Sequence, residues 1–240
     1  MFKIKRFYVK TANPYYSNEL IVHLRGHVRD SFNNPQLYLF LKKLSHFTLK
    51  IYIHTWNVTA NQLSWQQKNF NPIIITEQMI RDYFKDLPIT SIIIDDDQHI
   101  QLIGNTTGNM FSSKMPKLGW KNMWYGMYAS MKQIYEHEKD NVLILNMRFD
   151  AFTNCCKVTE HDLIKWIWAT IDKIKYHKIS TNFFIQDELK YGIDNQIIGD
   201  KYTLYKLIYY FHHHLDDIHQ KYIFLKNQEY SVYHENNRLF

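Results

Sequence analysis

The feature that most constrains the fold is an alternation of short apolar runs with segments of helical spacing. Runs rich in β-branched and aromatic residues predict four strands, at 19–24, 48–54, 91–94 and 141–147. Apolar residues at helical spacing predict the intervening helices, at 35–44, 76–86 and 120–137. Parallel strands require crossover connections of this length, so the pattern predicts an α/β protein with a mainly parallel sheet flanked by helices.

The second half of the chain predicts mixed elements. We expect a helix at 159–175, a strand at 182–186 and a helix at 201–220, with strand-like segments at 222–225 and 230–233. The chain contains no internal repeat and no Pro/Gly/Ser-rich linker, so residues 1–240 are interpreted as one domain.

Composition narrows the functional classes. Hydrophobic residues make up 45% and charged residues 22%, which is typical of a globular protein rather than a disordered one. The net charge of +6 favours an anionic ligand, and its scattered distribution disfavours nucleic acid. No run of 18 apolar residues predicts a membrane span, and a peripheral membrane contact stays open. The two cysteines are adjacent, which indicates a reducing, cytoplasmic setting.

Ligands of parallel sheets bind beyond the carboxyl ends of the strands, so the residues after each strand are the candidates. Arg25, Gly26 and Arg29 follow the first strand and predict a phosphate site, although a solvated loop is equally compatible. His54 and Trp56 come at and just after the end of the second predicted strand and could hold a base or a sugar, with packing beneath a loop as the alternative.

Two acidic segments follow the next strands. The run at 95–97 could bind a metal, but an exposed turn is the favoured interpretation. Alternation along the fourth strand places Asn146, Arg148 and Asp150 on one face. Asp150 could hold Mg²⁺ or Mn²⁺ against a diphosphate, and the alternative is an arginine–aspartate pair that fixes the strand end.

Three segments carry a resemblance to a known family: IVHLRGHVRDSF…LKIYIHTWN, GWKNMWYGMYASM…NVLILNMRFDAF and GIDNQIIGDKYTLYKL. In order and spacing they resemble small GT-A-like glycosyltransferases of surface-polysaccharide gene clusters and large viruses, over roughly 19–215. The resemblance implies a GT-A-like, Rossmann-like fold and a nucleoside-diphosphate sugar donor. It also implies a glycan or lipid-linked acceptor.

The resemblance also implies a metal site, from which this sequence departs. In GT-A enzymes an Asp-x-Asp motif ends the central strand and binds Mn²⁺ or Mg²⁺, whereas here that position reads Arg148-Phe149-Asp150. Arg148 could replace part of the metal's charge, and His234 is the candidate for a late metal-binding histidine. Metal dependence is therefore left open.

Transfer to a hydroxyl with inversion requires a carboxylate base near the acceptor. Asp194 is the first candidate and Asp187 the second, while Glu188 and Asp200 are also available and Asp200 is equally compatible with a helix cap. The histidine run 212–214 is interpreted as helix surface, because consecutive helical residues point in different directions. A binding protein that has lost catalysis is the second hypothesis, and a nucleic-acid-binding protein is the third.

Overall fold

Strands and helices alternate along the chain in the order that the sequence predicts. A computed structural model describes residues 18–60, 72–109, 116–153, 159–177, 181–184 and 196–226. The strands are β1 (Glu19–Arg25), β2 (Thr48–Trp56), β3 (Ile89–Asp95), β4 (Leu143–Arg148), β5 (Thr181–Phe184) and β6 (Gln196–Asp200). The helices are α1 (Gln36–Lys43), α2 (Glu77–Phe84), α3 (Lys117–His137), α4 (Glu160–His177) and α5 (Lys201–Lys226).

The strands form one sheet in the order β3-β2-β1-β4-β6-β5. Strands β1 to β4 are parallel to one another, whereas β6 runs antiparallel to both β4 and β5. The chain builds outwards from β1 to β3 on one side and then crosses to β4 on the other. The strand order therefore reverses between β1 and β4, and open α/β sheets bind their ligands in the crevice at such a point.

Both faces of the sheet are covered, which accounts for the nearly unbroken apolar sequence of β4. One core cluster joins the sheet to α1, α2 and α4, and a second joins the opposite face to α3 and α5. In the second cluster Trp124, Met127, Met131 and Ile134 are fully buried on the helix face that the sequence predicts. The protein is therefore a single α/β domain with a mostly parallel sheet flanked by helices.

Two elements differ from the sequence-based predictions. Strand β6 was not predicted, because its five residues sit within a segment interpreted only as a lead-in to the last helix. The predicted strand at 222–225 is wrong, because α5 continues to Lys226 after a kink at His214. A short aromatic run fits a helix and a strand equally well, so its periodicity could not decide between them.

Two helix caps stabilise elements near the core. The Thr76 hydroxyl accepts the Met79 N–H at 3.3 Å and so caps α2. The Asp200 carboxylate accepts the Thr203 N–H at 2.8 Å and so caps α5. Within the described ranges, no helix is both long enough and apolar enough to cross a membrane.

Candidate functional site

Three arginines meet at the point where the strand order reverses. Arg25 ends β1, Arg148 ends β4, and the two residues are register partners across the parallel ladder. Arg29 reaches the same place from the loop after β1, which turns at Gly26 with a φ of 90°. Ser31 further along this loop donates to the Phe149 carbonyl at 3.0 Å and so ties the loop to the end of β4.

Arg29 itself has a backbone conformation that is unusual for a residue other than glycine. Its φ is 50°, in the left-handed region, and its N–H donates to the Thr59 carbonyl at 2.6 Å. Non-glycine residues are held in this region only where the surrounding structure imposes it, and such positions concentrate at functional sites. The loop therefore places the Arg29 side chain against the end of β4.

The Asp150 carboxylate lies at the centre of the arginines. Arg148 donates to both of its oxygens, from Nε at 2.7 Å and from Nη2 at 2.7 Å, and Arg29 donates to Oδ2 from Nη1. Burial alone would raise the pKa of Asp150, but the charges of Arg148, Arg29 and Arg25 hold that pKa far below its usual range. Asp150 is therefore a carboxylate anion at all physiological pH values.

Three guanidinium groups and one carboxylate lie close together here, and we call Arg25, Arg29, Arg148 and Asp150 the arginine group. The formal charges of these four side chains sum to +2. Arg25 and Asp150 are each 2% exposed, whereas the side chains of Arg29 and Arg148 retain 13% and 15% exposure. A cluster of guanidinium groups with so little water around it favours an anionic ligand, and Arg29 and Arg148 are the arginines of the group that keep more exposed surface.

A second polar group lies at the ends of β2 and β3. His54 contacts Asp95 through Nε2 and Oδ2 at 3.2 Å, and the Tyr125 hydroxyl of α3 donates to the same carboxylate. The hydrogen bond from His54 is the main cause that lowers the pKa of Asp95. Burial and the adjacent Asp95 raise the pKa of Tyr125 to about 12. The rings of Trp56 and Tyr125 stack with their centroids 6.1 Å apart, so two aromatic side chains lie beside the Asp95 carboxylate.

His27 lies between the two polar groups. Its ring is 5.9 Å from that of Trp56, and its Nε2 is buried with no hydrogen-bond partner in the part of the chain that the structure describes. Burial is the main cause that lowers the pKa of His27 to about 3, with Arg29 adding to the effect. A buried polar atom without a partner in this position is a contact that a ligand or a water molecule can satisfy.

The structure brings together most of the predicted donor-binding residues. Arg25, Gly26, Arg29, Arg148 and Asp150 converge at the sheet edge, and the arginine–aspartate pair left open for Asp150 is present. His54 and Trp56 lie beside them and are 0% and 2% exposed, so the structure favours the packing alternative for these two residues over direct contact with a base or a sugar. They pack under α3 because Gly126 leaves room for the His54 ring.

The remaining predicted residues lie elsewhere. The proposed base residues Asp194, Asp187 and Glu188 and the metal candidate His234 fall outside the described residues. Asp200 pairs with Leu143 at the opposite end of β4 and caps α5, so the cap interpretation is confirmed.

Three residues of the site were missed from the sequence. Asp95, His27 and Tyr125 were either assigned to a turn or not singled out. Asp95 carried a usable signal, because it is the last residue of a parallel strand and so lies at the same edge as the other candidates. The neighbouring Asp96 forms the predicted turn, accepting the Gln98 N–H at 2.9 Å. Tyr125 carried none, because its position depends on how α3 packs across the sheet.

A divalent cation does not fit the observed surroundings of Asp150. Both carboxylate oxygens are held by arginines, so a cation would have to displace them and tolerate their charge. Among the described residues no group of three His, Cys, Asp or Glu side chains could hold a metal ion. The histidines of α5 instead stack on tyrosines, His212 on Tyr128 at 4.6 Å and His213 on Tyr209 at 3.9 Å.

Comparison with known proteins adds no family to this picture. A scan against protein-family models, a search of curated proteins and a search of solved structures each returned no match.

Proposed function

We propose that the protein is a glycosyltransferase that binds a nucleoside-diphosphate sugar at the edge between β1 and β4. The observation that carries this proposal is the convergence of Arg25, Arg29 and Arg148 at the point where the strand order reverses. A diphosphate offers a matching negative charge, and its oxygens suit the planar fork of a guanidinium. The acceptor is proposed to be a hydroxyl of a glycan or of a lipid-linked sugar.

The arrangement of α3 and β4 supports the family resemblance behind this proposal. In the GT-A layout a helix leads into a strand that ends at the metal-binding acids, and here α3 leads into β4 and the Arg148-Phe149-Asp150 segment. The same segment supplies cations in place of the expected pair of acids. We therefore propose that Arg29 and Arg148 neutralise the diphosphate directly, with Asp150 holding the two guanidinium groups in position.

The proposed chemistry follows from these roles. The acceptor oxygen attacks the anomeric carbon, its proton passes to a carboxylate, and the bond from that carbon to the diphosphate oxygen breaks. Arg29 and Arg148 stabilise the charge that builds on the departing diphosphate. Asp194, or else Asp187, is proposed as the base for an inverting reaction, and a retaining reaction would not need it in this role.

One observation favours a second candidate, a binding protein of the same fold without catalysis. The first acid of the usual metal-binding pair is absent, and the oxygens of the second are occupied by arginines. Such a protein would bind the nucleotide sugar and leave it intact, so donor turnover separates the two candidates.

Binding is tested by thermal shift with UDP, GDP, CDP and their sugars, each with and without Mn²⁺. A ligand that binds the folded state raises the melting temperature. Arg29→Gln and Arg148→Gln are expected to abolish the shift, whereas Arg81→Gln removes the same charge from an exposed pair on α2 and should preserve it. No shift with any nucleotide would refute the proposal, and binding without donor hydrolysis or transfer would favour the binding protein. Tight, salt-sensitive oligonucleotide binding would instead support a nucleic-acid function.

A further inference from the structure

A chain of fully buried polar side chains runs from the arginine group to the backbone of α3. Arg25 donates from Nε to the Asn146 Oδ1 at 3.1 Å, and Asn146 lies 2.8 Å from the Nδ1 of His23 through its amide nitrogen. The His23 Nε2 contacts the Ser130 hydroxyl, which lies 3.2 Å from the Gly126 carbonyl. His23 and Asn146 are 0% exposed and Ser130 is 1% exposed.

Only one assignment of donors and acceptors satisfies every hydrogen bond along this chain of side chains. Ser130 gives its single hydroxyl hydrogen to the Gly126 carbonyl, so its oxygen accepts from the His23 Nε2–H. His23 Nδ1 is then an acceptor for the Asn146 amide, which leaves Oδ1 to accept from Arg25. Burial, followed by the charge of Arg25, holds the pKa of His23 well below its usual range and so keeps the ring neutral, and the hydrogen-bond partners select this tautomer.

Burying polar side chains in this part of the sheet lowers the stability of the fold unless each polar group is hydrogen-bonded. Ile21 and Ile144 occupy the same face one alternation earlier on β1 and β4, and they pack against apolar residues of α3 and α5. Apolar side chains at 23 and 146 would extend that core without any polar group to satisfy. The chain does provide a fixed hydrogen-bond acceptor for Arg25, which is almost completely buried.

We propose that Asn146, His23 and Ser130 are positioning residues that hold the Arg25 guanidinium in a fixed orientation at the buried side of the proposed phosphate-binding site. This inference rests on the proposed function and identifies the side chains that hold Arg25, the most buried of the three arginines. Arg25 is more deeply buried than Arg29 and Arg148, so its orientation contributes to the positive potential that a phosphate meets. Because every hydrogen bond runs from Arg25 towards α3, the loss of any link loosens the links before it.

The experiment compares links of the chain with a matched hydroxyl outside it. Ser130→Ala breaks the far end of the chain, whereas Ser91→Ala breaks a 2.6 Å hydrogen bond between β3 and the Gln133 side chain of α3, with no link to Arg25. Asn146→Leu and His23→Leu remove the nearer links, and His23→Gln can restore one donor and one acceptor. Pyrophosphate affinity is measured by calorimetry, and exchange of the Arg25 Nε–H is measured by NMR.

We expect pyrophosphate binding to weaken about tenfold in Asn146→Leu and about threefold in Ser130→Ala, with no change in Ser91→Ala. His23→Gln should recover most of the affinity lost in His23→Leu. The Arg25 Nε–H should exchange slowly in the wild type and in Ser91→Ala, and faster in the chain variants.

A merely structural role gives a different result. If the chain variants lose stability but keep the wild-type affinity and a protected Arg25 Nε–H, the inference is overturned and the proposed function stands. If the wild type binds neither pyrophosphate nor a nucleoside diphosphate, the proposed function fails, and Nε–H exchange still decides whether the chain holds Arg25.

Discussion

Replacing Asp150 by Asn should change two properties in opposite directions, since it should lower the stability of the fold and raise the affinity for anions. The change keeps the size of the side chain but removes the only negative charge of the arginine group. Arg148 and Arg29 then lose an ionic acceptor while remaining largely buried. Removing one partner of a buried ion pair costs about 3–5 kcal/mol of unfolding free energy. A domain of this size is commonly stable by about 5–15 kcal/mol, so the variant should fold but melt earlier.

The same change should tighten anion binding. A phosphate bound about 7 Å from the Asp150 carboxylate is repelled by roughly 2 kcal/mol at an effective dielectric constant near 20, which corresponds to about a 30-fold change in affinity. We therefore expect Asp150→Asn to be less stable than the wild type and yet to bind pyrophosphate more tightly in metal-free buffer.

Urea denaturation and calorimetric titration measure the two effects. Asp86→Asn is the matched control, because it removes the same charge from an exposed pair with Lys42 and should change neither quantity appreciably. Weaker pyrophosphate binding by Asp150→Asn without metal would refute the reasoning. Loss of binding only in the presence of Mn²⁺ would indicate that Asp150 is a metal ligand after all.

Acid stability gives a further check on the same carboxylate. The pKa of Asp150 in the folded protein is lower than the value of about 3.8 that an aspartate has in an unfolded chain. Its contribution to stability is therefore complete above about pH 3.8 and is lost as the pH falls towards the folded pKa. The Asn variant lacks this ionisation, so its unfolding free energy should fall less steeply than that of the wild type below that pH.

Two further predictions concern packing and the buried histidines. Gly126→Ala should lower the unfolding free energy by about 1–3 kcal/mol in urea titration, because the new Cβ would lie 2.5 Å from the His54 ring. Gly119→Ala on the same helix is the control. Its new Cβ meets nothing within 4 Å, so this variant should be neutral or stabilising. Folding lowers the pKa of His27 from 6.5 to about 3, so below pH 6.5 the unfolded chain binds a proton that the folded protein does not. The unfolding free energy should therefore fall by about 1.4 kcal/mol per pH unit below pH 6.5. In His27→Gln the slope should be shallower by about this amount, and an unchanged slope in urea titrations at several pH values would contradict the lowered pKa.

The sequence was most informative where local pattern and tertiary environment agree. The strand β4 is buried on both faces, so its run of apolar residues could be recognised without knowing its neighbours. The same run ends in Arg148 and Asp150, and the rule that ligands bind at strand ends then located the site. The strand β6 has only five residues and no alternation, because Ile197 and Ile198 are buried on opposite faces. It could be recognised only from its pairing with β4.

The roles of individual site residues depended on distances that local spacing does not encode. His54 and Asp95 lie at the ends of neighbouring parallel strands, although a turn was the favoured interpretation of the segment that contains Asp95. The close approach of α3 at Gly126 makes His54 a buried support, while Asp95 keeps a side chain that is 26% exposed. The sequence could place both residues at one edge, but only the packing of a helix across that edge decides which of them can meet a ligand. The same holds for Asp150, because Arg148 at the end of β4 and Arg29 in the loop after β1 occupy its oxygens, and these two segments meet only in the folded sheet.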